Sequence, residues 1–226
     1  MVPLLLLHGA LGSAAQLDFL RQKLEGERRI YAMNFSGHGG TPVPPGFSMQ
    51  LFVDDVKSWM KRHAAIRINI FGYSMGGYVA LCLARQHPEM VNKIFTLGTK
   101  FAWTPEAAKQ ESAMLEPGKI LASHPAFAAT LDKRHAPRDW KTVMQKTAEL
   151  MLALGSKPPL ADDDFRKIIQ PVIVAVGDRD KMVSLRETTH VAGLIANGSL
   201  LVLEDTPHAL ESANPDYLAE KLNAFF

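Results

Sequence analysis

Ile66-Arg67-Ile68-Asn69-Ile70-Phe71-Gly72-Tyr73-Ser74-Met75-Gly76-Gly77-Tyr78-Val79-Ala80-Leu81 changes character at its middle. Ile66–Phe71, with isoleucine at every second position before Phe71, reads as a strand, and Met75–Gln86 reads as a helix. The joint is Gly72-x-Ser74-x-Gly76, a sharp turn that would hold the serine Oγ clear of the sheet. The two glycines remove side chains that would clash across such a turn.

Working outward, the same alternation recurs. Val2–Leu7, Ile30–Phe35, Val91–Leu97, Pro171–Val176 and Leu200–Leu203 are further strand candidates. Ser13 can cap a helix over Ala14–Glu25 with Leu17, Leu20 and Leu24 on one face. Gly37–Gly46 is a loop rich in Gly and Pro, and Ser48 caps a helix carrying Phe52, Val56 and Trp59. Leu185–Ile195 is a helix, and Asn214-Pro215 opens a final one to Phe226. The pattern breaks from Ala102 to Lys167, where prolines 105, 117, 125, 137, 158 and 159 cut the chain into short helices, Ala107–Leu115 and Trp140–Leu154 the best of them. The expected fold is α/β, a three-layer α/β/α sandwich on a mostly parallel sheet of six strands in the order 2-1-3-4-5-6. Residues 1–101 and 168–226 form its core, and 102–167 a helical cap inserted over one end of the sheet. Chemistry then belongs at the carboxyl ends of the strands, after Leu7, Phe71, Leu97, Val176 and Leu203.

Composition bounds the function. The 226 residues are 47% hydrophobic and 21% charged, ordinary values for one globular domain. Lys+Arg 25 against Asp+Glu 23 leaves a net charge of +2, too balanced for a nucleic-acid binder. Lys57, Lys61, Arg62 and Arg67 read as one solvated helix face. Cys82 is the only cysteine, so neither an intramolecular disulfide nor a cysteine-based zinc site can form. Val2–Leu7, like every other apolar run, is far short of the ~18 residues that span a bilayer. A cytoplasmic protein without membrane attachment, monomer or homodimer, is expected. P-loop and zincin motifs do not occur.

A serine nucleophile needs a base and an orienting carboxylate. Of the eight histidines, His208 sits in the loop after the last strand, where an imidazole can reach Ser74. His8 and His38 read as loop supports, and His63 and His87 as helix-end residues. The turn Gly177-Asp178-Arg179-Asp180 after the fifth strand offers two acids, while Gly98-Thr99-Lys100 after the fourth offers none. For the oxyanion, Met75 N–H should supply one donor and the His8-Gly9-Ala10-Leu11-Gly12 loop the other, from Ala10 first and Leu11 second. Leu11, Tyr73, Lys100, Trp103 and Trp140 are candidate substrate contacts; Met114, Phe127, Arg134 and His135 in the insertion are further ones, with cap-core or surface roles as the alternative.

These motifs together resemble the α/β-hydrolase superfamily, in its small esterase-like branch with a helical cap. The resemblance rests on His8-Gly9, Ser36-Gly37-His38-Gly39, Gly72–Gly77, Gly177–Asp180 and Pro207-His208, in that order along nearly the whole chain. It implies Asp180 over Asp178 as the acid, because the family's acid is the third residue after the glycine with an apolar residue, here Val183, three further on. It implies a Ser74-Asp180-His208 triad, a small-molecule ester or thioester substrate, and no metal or organic cofactor. It implies too that the fold's usual first two strands are missing, since the His-Gly strand begins at Val2. A serine at position 74 speaks against the dehalogenase and epoxide hydrolase relatives, which use aspartate. Parts of the chain also resemble the menaquinone-pathway synthase, a lyase; that family places an arginine after the second elbow glycine, where this chain has Tyr78. A non-catalytic small-molecule receptor on the same scaffold is the other alternative.

Overall fold

The computed structural model describes residues 2–24 and 29–226. Its elements in chain order are β1 (Leu4–Leu7), a 3-10 turn (Ala14–Leu17), α1 (Asp18–Arg21), β2 (Ile30–Met33), α2 (Met49–Arg62), β3 (Ile68–Tyr73) and α3 (Met75–Gln86). There follow β4 (Val91–Leu97), α4 (Pro105–Ala113), α5 (Pro117–Ser123), α6 (Pro125–His135), α7 (Trp140–Ser156) and α8 (Asp162–Phe165). The chain closes with β5 (Val172–Gly177), α9 (Leu185–Leu194), β6 (Gly198–Leu203) and α10 (Pro215–Phe225).

The six strands form one parallel sheet in the order β2-β1-β3-β4-β5-β6. A strand covered on both faces needs apolar residues at every position, which is why β1 reads Leu-Leu-Leu-Leu. Leu5 and Leu7 join Ile68, Ile70, Ile94 and Val172 in a core under α2, α3 and α9. Leu4 and Leu6 join Phe71, Phe95 and Leu97 in a second core against α1 and α10. This is the three-layer sandwich, with β3 near the centre of the sheet.

Two local expectations give way. The expected helix over 14–25 is a 3-10 turn followed by a single α-turn, and Ser13 makes no capping hydrogen bond from its side chain. Leu17, Leu20 and Leu24 are nevertheless all buried, and Glu25 lies outside the described residues. Likewise β3 begins at Ile68 instead of Ile66, whose side chain is 88% exposed beyond the sheet. Between β4 and β5 the described residues form helices alone. Pro105, Pro117 and Pro125 each stand at the first position of one, where the missing N–H costs no hydrogen bond.

Candidate active site

Ser74 ends β3 and precedes α3 with φ 50° and ψ −115°. A non-glycine residue held there stores of order 1–3 kcal/mol, which the packing around it must impose. That packing is tight. A Cβ on Gly72 would lie 2.5 Å from Gly77 Cα, and one on Gly76 would lie 2.6 Å from the Leu7 carbonyl oxygen. Ser74 N–H donates to Leu97 O (2.8 Å), and its carbonyl accepts from Gly77 N–H (3.0 Å) and Thr99 Oγ1 (3.0 Å). The backbone is thus pinned on both sides, leaving the hydroxyl at the helix N-terminus.

Asp180 and His208 meet at 2.7 Å, Oδ2 to Nδ1. The other Asp180 oxygen accepts from the N–H groups of Met182 and Val183, both at 2.8 Å. Burial alone would push the Asp180 carboxyl up. The His208 hydrogen bond and charge, with the two N–H groups, outweigh that and hold it below the ordinary 3.8. An ionised Asp180 fixes the proton on His208 Nδ1 and leaves Nε2 free as a base. Asp178 instead accepts from Thr206 N–H (3.1 Å), so it braces the loop that leads to His208. Tyr73 Oη donates to the His208 carbonyl (3.0 Å), which links the His208 loop to the residue next to Ser74. Behind the pair, Gly98 takes φ +60° and passes so close that a Cβ there would be 3.4 Å from both Asp180 Oδ2 and His208 Nδ1. No hydrogen bond joins Ser74 Oγ to His208 in this structure; such contacts commonly tighten only when substrate binds.

Met75 N–H, as the first of α3, has no acceptor within the helix. Ala10 stands with Ser74 and Met75 on the wall of one cavity. The rest of that wall is Met49, Tyr78, Lys100, Trp103 and, from α7, Thr147, Leu150, Met151 and Leu154. Lys100 and Trp103 therefore share a cavity wall with Ser74. Trp140 does not: it is 4% exposed and packs in the main core. Leu11 and Tyr73 also lie off the cavity wall, and Met114 and Phe127 are exposed on the surface. Arg134 and His135 turn away from the cavity and bond the Leu11 carbonyl at 3.0 and 3.1 Å. Lys100 is paired with Glu111 at 3.1 Å. Among the described residues no cluster of three or more His, Cys, Asp or Glu could hold a metal ion.

The comparisons with known proteins match this fold. A sequence profile described as the alpha/beta hydrolase fold matches residues 2–149. This chain belongs to the α/β-hydrolase family. It is similar to a pimeloyl-[acyl-carrier protein] methyl ester esterase of Neisseria meningitidis, 25% identical over 90% of this chain and 85% of the relative. It is also similar to a human serine hydrolase-like protein, 35% identical over 43% of this chain and 49% of that one. Among solved structures, a thermophilic esterase from Thermogutta terrifontis superposes with a TM-score of 0.80 at 22% identity, covering 100% of this chain and 89% of that one. A meta-cleavage product hydrolase from Pseudomonas fluorescens does so with a TM-score of 0.78 at 20% identity, covering 100% and 90%. As an α/β-hydrolase the chain carries its cavity where β1, β3 and α7 converge. The α7 contribution is readable only as an apolar stripe at helical spacing, Val143, Thr147, Leu150 and Leu154, which by itself is equally the signature of a core helix.

Proposed function

We propose that this protein is a serine hydrolase that cleaves small carboxylic esters or thioesters through an acyl-enzyme on Ser74. The observation that carries the reading is the 2.7 Å His208–Asp180 pair, tied through Tyr73 to a strained serine at a helix N-terminus. His208 Nε2 takes the Ser74 proton as Oγ attacks the carbonyl carbon, and the oxyanion forms against Met75 and Ala10 N–H. The tetrahedral intermediate collapses, the proton passes to the departing alkoxide or thiolate, and an ester on Ser74 remains. His208 then deprotonates a water, whose attack releases the carboxylic acid and restores the serine. Residues 102–167 act as the cap, with α7 closing the acyl pocket.

The cavity favours an uncharged acyl group. Its lining is mainly apolar, and its one cation, Lys100, is already neutralised by Glu111. Tyr78 supplies no cation where the lyase relatives have arginine; its hydroxyl accepts from Leu160 N–H (3.3 Å). Both observations favour hydrolase over carboxylate-binding lyase. Ser74→Ala should lower kcat for p-nitrophenyl esters by roughly 10⁴-fold or more while leaving the thermal unfolding midpoint in place. Undiminished turnover by that variant would sink the assignment.

A further inference from the structure

Gly12 N–H donates to Gly9 O (3.1 Å), closing a four-residue turn over Gly9-Ala10-Leu11-Gly12. Its third residue, Leu11, has φ 57°. Glycine or asparagine is the usual occupant of that position, and a leucine there is strained by roughly 1–2 kcal/mol. The sign of φ at the third position has a consequence for catalysis. Turns of this size close with either sign, but the central peptide, here Ala10–Leu11, is turned over between the two forms. Ala10 N–H is the second oxyanion donor in the proposed mechanism, and the peptide that turns over carries the Ala10 carbonyl, so the change of form moves that carbonyl to the other face of the turn and alters what an oxyanion would meet beside the donor.

What holds Leu11 in the unfavourable form comes from α6. Arg134 Nη1 donates to the Leu11 carbonyl at 3.0 Å, and His135 Nε2 donates to it at 3.1 Å. His135 is fully buried, and its Nδ1 accepts from Gly39 N–H (3.2 Å). The ring must therefore be neutral with its proton on Nε2, and burial, the main cause, holds its pKa down at about 4. Arg134 also reaches Glu211 (3.5 Å), three residues past His208, and Glu211 accepts from Gln16 Nε2 (2.8 Å). One arginine thus joins the cap, the oxyanion turn and the loop of the base.

We infer that Arg134 and His135 are positioning residues that keep the Gly9–Gly12 turn in its catalytic orientation, so that the oxyanion site is formed only while α6 is seated on it. The inference rests on the proposed serine-hydrolase mechanism. It separates these two side chains from substrate binding, because they bond a backbone carbonyl behind the turn.

The test is a comparison of kinetics with the affinity for butylboronic acid, which forms a tetrahedral adduct on a catalytic serine and places an oxygen in the oxyanion site. His135→Leu removes donor and acceptor; His135→Gln can restore both. Arg134→Met removes one donor from a part-exposed side chain and carries the test alone if His135→Leu fails to fold. A misplacement of this kind costs about 10²-fold. His135→Leu and Arg134→Met should lower kcat ten- to a hundredfold and weaken boronate binding by the same factor. KM and inhibition by the carboxylic acid product should stay within twofold, and His135→Gln should recover most of the loss. Wild-type boronate affinity in folded His135→Leu or Arg134→Met, with Ser74→Ala inactive, would overturn the inference. Turnover persisting in Ser74→Ala would overturn the underlying mechanism instead.

Discussion

Asp178 and Asp180 stand on one turn, two residues apart, and serve different partners. Asp180 orients the imidazole; Asp178 holds the backbone at Thr206. Reading the turn alone leaves both open, since either acid could reach a base in the next loop. Only the family's spacing separates them in advance. The expected consequence is asymmetric. Asp180→Asn should lower kcat by about 10⁴-fold, because the amide stabilises the wrong tautomer, as in other serine triads. Asp178→Asn should cost less than tenfold and show mainly as a lower unfolding midpoint. Steady-state kinetics of the two variants side by side check this, and equal losses would reassign the acid. At the same scale Ser74, Met75 and Ala10 were legible because G-x-S-x-G and His-Gly are local patterns. Arg134 and His135 were not, because nothing in the order Lys133-Arg134-His135 says that both will meet a carbonyl 123 and 124 residues away.

The strands were legible to within two residues at either end. β4 occupies its expected residues, since Val91–Leu97 is bounded by a proline-led turn and by Gly98. The first helix was misread because propensity and apolar spacing outlast the α-turn itself; tertiary packing buries the leucines without extending the helix. In the insertion, prolines mark helix starts reliably, but no sequence signal says which helix closes the pocket. Structurally it is α7, with Thr147, Leu150, Met151 and Leu154 on the cavity wall. Filling that wall should shorten the acyl group accepted. Leu150→Trp is expected to raise KM for octanoyl esters at least tenfold while changing acetyl ester turnover less than threefold. A chain-length series of p-nitrophenyl esters measures it, and a parallel loss across all lengths would place the acyl group elsewhere.

At the scale of the whole molecule, two cores on opposite faces of a six-stranded sheet hold up one polar seam. His8, His38 and His135 gather there, with ring centroids 5.1 and 5.8 Å apart along the series. All three are buried, and burial is the chief reason their pKa values lie below the ordinary 6.5, at about 4 for His8 and His135. The unfolded chain binds protons at 6.5, whereas the folded chain stays neutral there until nearer pH 4. Stability is therefore full above pH 6.5 and is lost as pH falls from 6.5 toward 4, with His8 alone worth roughly 3 kcal/mol over that range. Asp180, depressed from 3.8, adds a further loss below that value. Urea unfolding at pH 7, 6, 5 and 4.5 should show a steadily falling free energy, and His135→Gln should flatten the slope by about one proton. A profile flat down to pH 4.5 would mean that the seam is open to protons in the folded state.

The central claim is that Ser74, activated by His208 and Asp180, is the residue that becomes acylated. Its most direct measurement is the intact mass of the protein after exposure to a fluorophosphonate, followed by peptide mapping. The account predicts one adduct per chain, carried by the peptide containing Ser74 and absent from Ser74→Ala and much slowed in His208→Ala. An unmodified protein, or an adduct that persists in Ser74→Ala, would contradict it.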